Sequence, residues 1–148
     1  MPRSPNFFFP DTNVWLALSY DRHAHHGRAK AWFDSLGADT RLYFCRLTQL
    51  GLLRLLCTES VMGRDRVLSQ KQAWFQYDRW REDERVEFLE EPAGLENEFR
   101  ALTQHWLPSP KGWVDAYLGA FSVATGVPFV TFDQAFRSRI QDVVILES

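Results

Sequence analysis

The chain has 148 residues, 45% of them hydrophobic, which is enough for about one domain with a buried core and excludes extensive disorder. Its formal net charge is −2, so it is not a strongly basic nucleic-acid scaffold, and its non-specific affinity for long duplexes should be modest. The apolar run at residues 7–9 is too short for a signal segment or a membrane span, so we expect a cytoplasmic chain without a membrane anchor.

Apolar runs alternate with amphipathic segments, which predicts strands that alternate with helices. After a loose leader at residues 1–5, the predicted strands are residues 6–10, 42–45, 85–90, 127–132 and 143–146. The predicted helices are a short one opening at residues 11–13, then 29–36, 48–57, 67–81, 95–106 and 113–125. This alternation indicates a parallel sheet covered on both faces, within a single domain of residues 1–148.

Three aspartates fall where such a sheet binds ligands. Asp11 follows the first strand and Asp133 follows the strand at residues 127–132, and the carboxyl ends of central parallel strands line the crevice of an open sheet. Asp115 lies in the first turn of the helix that leads into the Asp133 strand, where the positive helix terminus favours a carboxylate. Taken singly, each aspartate is more simply explained as a cap or turn residue.

Together, the three carboxylates predict a metal site. Like charges held close are costly unless a cation joins them, and hard oxygen ligands suit Mg²⁺ or Mn²⁺ rather than zinc. Such a metal can bind a phosphodiester oxygen, lower the pKa of an attacking water and neutralise developing charge.

A set of motifs, in order, covers nearly the whole chain. They are FPDTNVWLAL at residues 9–18, HAHH at 23–26 with AWF at 31–33, LTQLGLLRL at 47–55, DAYL at 115–118 and TFD at 131–133. This ordered set resembles the PIN-domain ribonucleases, and it is most similar to the VapC toxins of toxin–antitoxin modules.

The resemblance implies a three-layer α/β/α sandwich whose central parallel sheet has four to five strands. It also implies an endoribonuclease that depends on Mg²⁺ or Mn²⁺, a small VapB-like antitoxin as partner, and a homodimer. By motif match, Asp11, Asp115 and Asp133 are the metal-binding acids of the active site. The supporting residues in the same motifs are Thr12 and Asn13, which would shape the loop, and Thr131, which would orient a ligand or water.

One position departs from the family pattern. The family usually carries an acid on the helix after the second strand, where this chain has Gln49, an uncharged amide. Glu59 does not easily substitute, because ten helical positions correspond to roughly 15 Å along the axis. The departure implies a weaker second metal site or a single ion, and the hypothesis that Gln49→Glu tightens Mn²⁺ binding.

Several arginines have two open interpretations. Arg54 stands in an otherwise apolar helix, so it either pairs with an active-site carboxylate or an RNA phosphate, or extends its charge to solvent. Arg137 and Arg139 lie close in sequence to Asp133 and are weaker candidates for holding an RNA backbone.

The histidines, cysteines and clustered aromatics favour structural roles. His23, His25 and His26 lack further ligands for a zinc site, so we expect loop packing first and substrate contact second. Cys45 and Cys57 lie in apolar stretches and are expected to be reduced core residues. The aromatics of the helix at residues 67–81 have core spacing, with base stacking or contact with an antitoxin helix as the alternative; they are Trp74, Phe75, Tyr77 and Trp80.

Two other functions remain open. Asp11 after the first strand also suits phosphoryl transfer through an aspartyl intermediate, although haloacid-dehalogenase-like enzymes expect a second aspartate where this chain has Asn13. A degenerate, non-catalytic PIN domain that binds RNA or a protein is the other alternative, and Gln49 is the feature in its favour.

Overall fold

A computed structural model describes residues 6–105 and 107–147. Five parallel strands form one sheet in the order β3-β2-β1-β4-β5. The strands are β1 (Phe7–Pro10), β2 (Arg41–Phe44), β3 (Val86–Phe88), β4 (Phe129–Thr131) and β5 (Val143–Ile145). The predicted parallel sheet of four to five strands is therefore confirmed, while the expected leader at residues 1–5 lies outside the described residues.

Helices cover both faces of the sheet. They are α1 (Thr12–Ser19), α2 (His26–Asp34), α3 (Arg46–Leu56), α4 (Glu59–Met62), α5 (Gln70–Glu82), α6 (Leu95–Thr103) and α7 (Gly112–Thr125), with a 3-10 helix at Gln134–Ser138. Helices α1 to α5 pack on one core, and α6, α7 and the 3-10 helix pack on the other. This confirms the α/β/α sandwich. None of the helices in the described ranges has the length and apolar character needed to cross a bilayer.

Aromatic stacking on both faces fixes the junction between β1 and α1. Phe9 of β1 is fully buried and stacks on Phe121 of α7, with ring centroids 4.8 Å apart. On the opposite face, Trp15 of α1 stacks on Phe44 of β2 at 4.0 Å. Because aromatic pairs of this kind combine large buried area with a preferred geometry, the turn between β1 and α1 is held from both sides. Asp11 is the residue at that turn.

The structure corrects several local expectations. Sequence periodicity did not predict α4 or the 3-10 helix, because both are too short to show a repeat. Cys45 is buried but Cys57 is only half-buried, and both are free thiols. Tyr77 belongs to the core as expected, whereas the exposed fractions of Trp74 and Phe75 are 48% and 67%, so their assignment to the core was wrong. The predicted end of α6 at Trp106 lies outside the described residues.

Helices α1 and α3 approach each other closely at Gly51. A Cβ added to Gly51 would lie 2.8 Å from Thr12 Cγ2 and 2.9 Å from Thr12 Oγ1, which is closer than real side chains pack. Thr12 is β-branched and stiff, so its side chain yields little without moving its backbone. The glycine therefore sets the distance between α3 and the turn that carries Asp11.

We predict that Gly51→Ala lowers the free energy of unfolding by about 1–3 kcal/mol, because overpacking outweighs the better helix propensity of alanine. Gly27 in α2 is the matched control: nothing lies within 4 Å of a Cβ added there. Gly27→Ala should leave stability unchanged or raise it by up to about 1 kcal/mol. Urea unfolding measures both, and equal effects of the two substitutions would show that the close approach at Gly51 carries no constraint.

Candidate active site

Thr131 joins two of the predicted acids. Its hydroxyl donates a hydrogen bond to Asp11 Oδ2 at 2.8 Å and accepts one from the Asp133 backbone N–H at 3.1 Å. The other oxygen of Asp11 accepts from the Thr12 N–H at 2.7 Å, which caps α1. Both oxygens of Asp11 are thus oriented by neighbouring groups. The Asp11 N–H also donates to the Val130 carbonyl, which fixes the ends of β1 and β4 together.

Asp11 and Asp115 line one groove, here called the acidic groove, with a volume of about 470 Å³. Asp115 reaches it from the first turn of α7. The predicted supporting residues Thr12 and Asn13 line the same groove. Its remaining walls come from Leu47, Leu50, Gly51, Arg54 and Leu55 of α3, and from Val114 and Leu118 of α7. The groove is therefore apolar around two carboxylates and one guanidinium.

Burial and mutual repulsion raise the proton affinity of these carboxylates. Loss of solvent is the largest effect on Asp11 and raises its pKa to about 6; the hydrogen bonds from Thr131 and Thr12 oppose the rise, and the charges of Asp115 and Asp133 add to it. The pKa of Asp115 is also raised, mainly by loss of solvent and further by Asp133, while Arg139 opposes the rise. The three acids therefore lie within electrostatic reach of one another.

Asp133 and Asp115 each have a further partner. The Asp133 side chain accepts a hydrogen bond from the Ala135 N–H at 2.9 Å and so caps the 3-10 helix. Arg139 Nη1 lies 3.7 Å from Asp115 Oδ2. Arg137, by contrast, pairs with Glu147. From its closeness to Asp133 in sequence, Arg139 was predicted only to contact the RNA backbone. Its ion pair with Asp115 was missed at the level of sequence.

The donor chemistry of the three acids fits a divalent cation, although they do not form a closed coordination cage. Carboxylate oxygens are the ligands that Mg²⁺ and Mn²⁺ prefer. The pKa values of Asp11 and Asp115 are raised mainly by burial and further by neighbouring acids, and a bound cation would oppose both effects. Over residues 6–105 and 107–147, no three acidic, histidine or cysteine side chains are gathered at ligand distance.

The structure does not bring Gln49 into the acidic groove. Gln49 is buried, and its Oε1 accepts a hydrogen bond from Arg46 at 2.6 Å. Leu47, Leu50 and Gly51 face the groove, and a step of two residues from Leu47 to Gln49 turns the helix by about 200°. The hypothesis that Gln49→Glu tightens Mn²⁺ binding stays a prediction, and this orientation does not favour it.

Arg54 does line the acidic groove. Its side chain is exposed, in agreement with the interpretation in which it extends its charge to solvent, and within the described ranges it forms no salt bridge. Of the two open interpretations, pairing with an active-site carboxylate is therefore not seen.

The three neighbouring histidines pack a loop beside β4. His23 Nδ1 accepts a hydrogen bond from the His25 N–H, and His26 Nδ1 lies 2.7 Å from the Ala17 carbonyl. The His25 ring stacks on Phe132, with centroids 4.5 Å apart. Burial lowers the pKa of His23, so its neutral form is favoured. These contacts agree with loop packing, and the loop abuts the residue that precedes Asp133.

Comparison with known proteins agrees with the fold described above. The profile of the PIN domain family matches residues 8–139. The chain belongs to the PIN-domain family. It is 43% identical over 129 residues to ribonuclease VapC41 of Mycobacterium tuberculosis, an alignment that covers 85% of this chain and 88% of that protein.

Solved PIN-domain structures share the fold at low sequence identity. VapC20 of Mycobacterium tuberculosis, a toxin that cleaves the sarcin–ricin loop, is 23% identical with a TM-score of 0.62, covering 88% of this chain and 93% of that chain. A structure of VapBC2 from Rickettsia felis bound to a promoter DNA fragment matches at 12% identity with a TM-score of 0.64, covering 94% and 96%. The predicted relationship to VapC-like PIN domains is confirmed.

The raised pKa of Asp11 predicts a pH-dependent stability of the metal-free protein. Because the folded state raises this pKa from 3.8 to about 6, it holds the proton more tightly than the unfolded chain. The resulting stabilisation is fully present below about pH 3.8 and is lost as pH rises through about 6.

We therefore expect the free energy of unfolding of the wild type to fall relative to that of Asp11→Asn as pH rises from about 4 to about 7. Asparagine keeps one oxygen to cap α1 and removes the charge; it also loses the second acceptor for Thr131, but that loss does not vary with pH, so the change with pH isolates ionisation. Urea unfolding in EDTA across this range measures the effect. A difference that does not change with pH would mean that the Asp11 carboxyl titrates normally.

Proposed function

We propose that this PIN-domain protein is an endoribonuclease toxin that hydrolyses RNA phosphodiester bonds with the help of Mg²⁺ or Mn²⁺. The observation that carries the proposal is the convergence of Asp11, Asp115 and Asp133, each pair within electrostatic reach, at the carboxyl edge of β1 and β4. This edge is the switch point of the sheet, because β2 lies on one side of β1 and β4 on the other. The ribonuclease VapC41, at 43% identity, supports the same activity.

The residues of the groove have separable roles in this proposal. Asp11 and Asp115, with Asp133 from the neighbouring loop, would hold the ion; when bound, the ion lowers the pKa of a water and offsets charge on the phosphate. Thr131 fixes the orientation of Asp11 through its hydrogen bond, and Thr12 fixes the second oxygen. Leu47 and Leu118 exclude water from the sides of the groove, which strengthens the electrostatic interactions within it.

We expect Asp115→Asn to reduce cleavage of single-stranded RNA by at least about a hundredfold, because it removes a charged ligand while keeping the shape of the side chain. Asp78→Asn, at an exposed position of α5, is the matched control and should cleave like the wild type. Gel analysis of RNA ends with Mn²⁺, with and without EDTA, measures the rate. Equal cleavage by Asp115→Asn and wild type, or cleavage that EDTA leaves unchanged, would remove the basis of the proposal.

The same proposal includes a protein antitoxin, a homodimer and a cytoplasmic location. An apolar groove of about 550 Å³ lies between α3 and α5, here called the α3–α5 groove. Leu50 and Trp74 line it, and their exposed fractions are 57% and 48%. Exposed apolar side chains around a groove suit the apolar face of a partner helix. The structural neighbour from Rickettsia felis is a VapBC pair, which supports an antitoxin as that partner.

Trp74→Ala should weaken binding of a candidate antitoxin encoded beside the toxin gene by about tenfold or more, because exposed tryptophans are frequent anchors of interfaces. RNA cleavage by the free protein should not change. Val123→Ala is the control, since Val123 is 44% exposed on α7, on the other side of the sheet. Calorimetric titration measures the affinity. Equal affinities of the two variants would place the antitoxin elsewhere on the surface.

A further inference from the structure

Arg54 lies where a negatively charged substrate would approach the acids. It projects from α3 on the face that also carries Leu47, Leu50 and Gly51, and all four line the acidic groove with Asp11 and Asp115. Spacings of three, four and seven residues from Leu47 place these positions on one side of a helix. The groove thus contains a cationic side chain on the wall opposite α7, which carries Asp115.

Arg54 is also free to bind. Eight other arginines form salt bridges, including Arg139 with Asp115, whereas the guanidinium of Arg54 has no carboxylate within reach in the described ranges. Four residues on, the Thr58 hydroxyl donates a hydrogen bond to the Arg54 backbone carbonyl rather than pairing with the guanidinium, and Arg54 lines the α3–α5 groove as well. An unpaired guanidinium beside two carboxylates is poorly explained as a stabilising feature of the fold.

RNA chemistry supplies a partner for this group. A polyanion that enters a groove with two carboxylates is repelled unless cations bind its phosphates. The planar guanidinium donates two parallel hydrogen bonds to a phosphate, and it keeps its charge at every physiological pH. Arg139 offsets part of the charge of Asp115, whereas Arg54 is the cation lining the acidic groove that remains available to substrate.

We propose that Arg54 is a substrate-binding residue that holds a phosphate of single-stranded RNA next to the one that is cut. The inference rests on the proposed ribonuclease function and adds to it a named contact with the RNA backbone. Because this phosphate is bound equally in the ground state and the transition state, Arg54 contributes to affinity rather than to the chemical step.

The test compares Arg54→Gln with Arg79→Gln. Arg79 is exposed on α5, lines a cavity that contains none of the three acids, and also lacks an ion pair in the described ranges, so it matches Arg54 in everything but position. With single-stranded RNA and Mn²⁺, Arg54→Gln should raise KM about tenfold and leave kcat within about twofold of the wild type. Arg79→Gln should change neither value.

A binding measurement gives an independent readout. In the Asp115→Asn background, which prevents cleavage, fluorescence anisotropy with a short mixed-sequence RNA gives the dependence of affinity on salt. Loss of one phosphate contact should reduce the slope of log K against log salt by about 0.7. Arg54→Lys should retain the slope, because it retains the charge, and thermal melts of each variant check that the fold is intact.

Equal KM and equal salt slopes for Arg54→Gln and Arg79→Gln would overturn the assignment of Arg54. So would a loss of kcat at constant KM, or an effect on antitoxin affinity alone, which would make Arg54 a protein contact. Failure of the wild type to cleave RNA would instead overturn the proposed function, and the salt slope would still report on Arg54.

Discussion

The hydrogen bond from Thr131 to Asp11 is the contact on which the rest of the site depends. It crosses from the end of β4 to the end of β1, and its donor is almost fully buried. The same hydroxyl accepts from the backbone of Asp133, so a single side chain relates the positions of two acids that are far apart in sequence. Stacked aromatic rings on the two faces hold the strand end rigidly enough for this geometry to persist.

The structural roles of the acids and their proposed functional roles coincide in this fold. Asp11 caps α1 and Asp133 caps the 3-10 helix, as the simpler interpretation of each residue required. A carboxylate that caps a helix accepts the backbone N–H with one of its oxygens. The same side chain therefore also places negative charge at the edge of the sheet. The cost appears in the raised pKa values of Asp11 and Asp115. Burial is the main cause of both shifts and neighbouring acids add to it, so the ionised carboxylates destabilise the metal-free protein, a cost that is understandable at the proposed cation site.

The sequence predicted the parts of the site that depend on chain order, and it missed those that depend on side-chain direction. Strand ends marked Asp11 and Asp133, and helix polarity marked Asp115, because these signals are local. The motif match alone did not reveal that the Gln49 side chain turns toward Arg46 while Leu47 faces the acidic groove. The pairing of Arg139 with Asp115 joins the end of the 3-10 helix to α7 at the surface, between residues far apart in sequence, so no short window of sequence contains it. The exposure of Trp74 was missed for a similar reason, since an aromatic stripe has the same spacing whether it is covered or not.

The orientation of Gln49 bears on how many ions the site would hold. Helix α3 gives the acidic groove an apolar wall and the cation of Arg54, and it contributes no carboxylate there. Arg139 offsets part of the charge of Asp115, and Arg54 lines the groove, so the three acids together with these two arginines carry about one net negative charge, which a single divalent ion already offsets. A second ion would bring excess positive charge close to two guanidinium groups. For the proposed ribonuclease site we therefore expect a single ion, with Arg54 taking part of the electrostatic role toward phosphate that a second ion would otherwise fill.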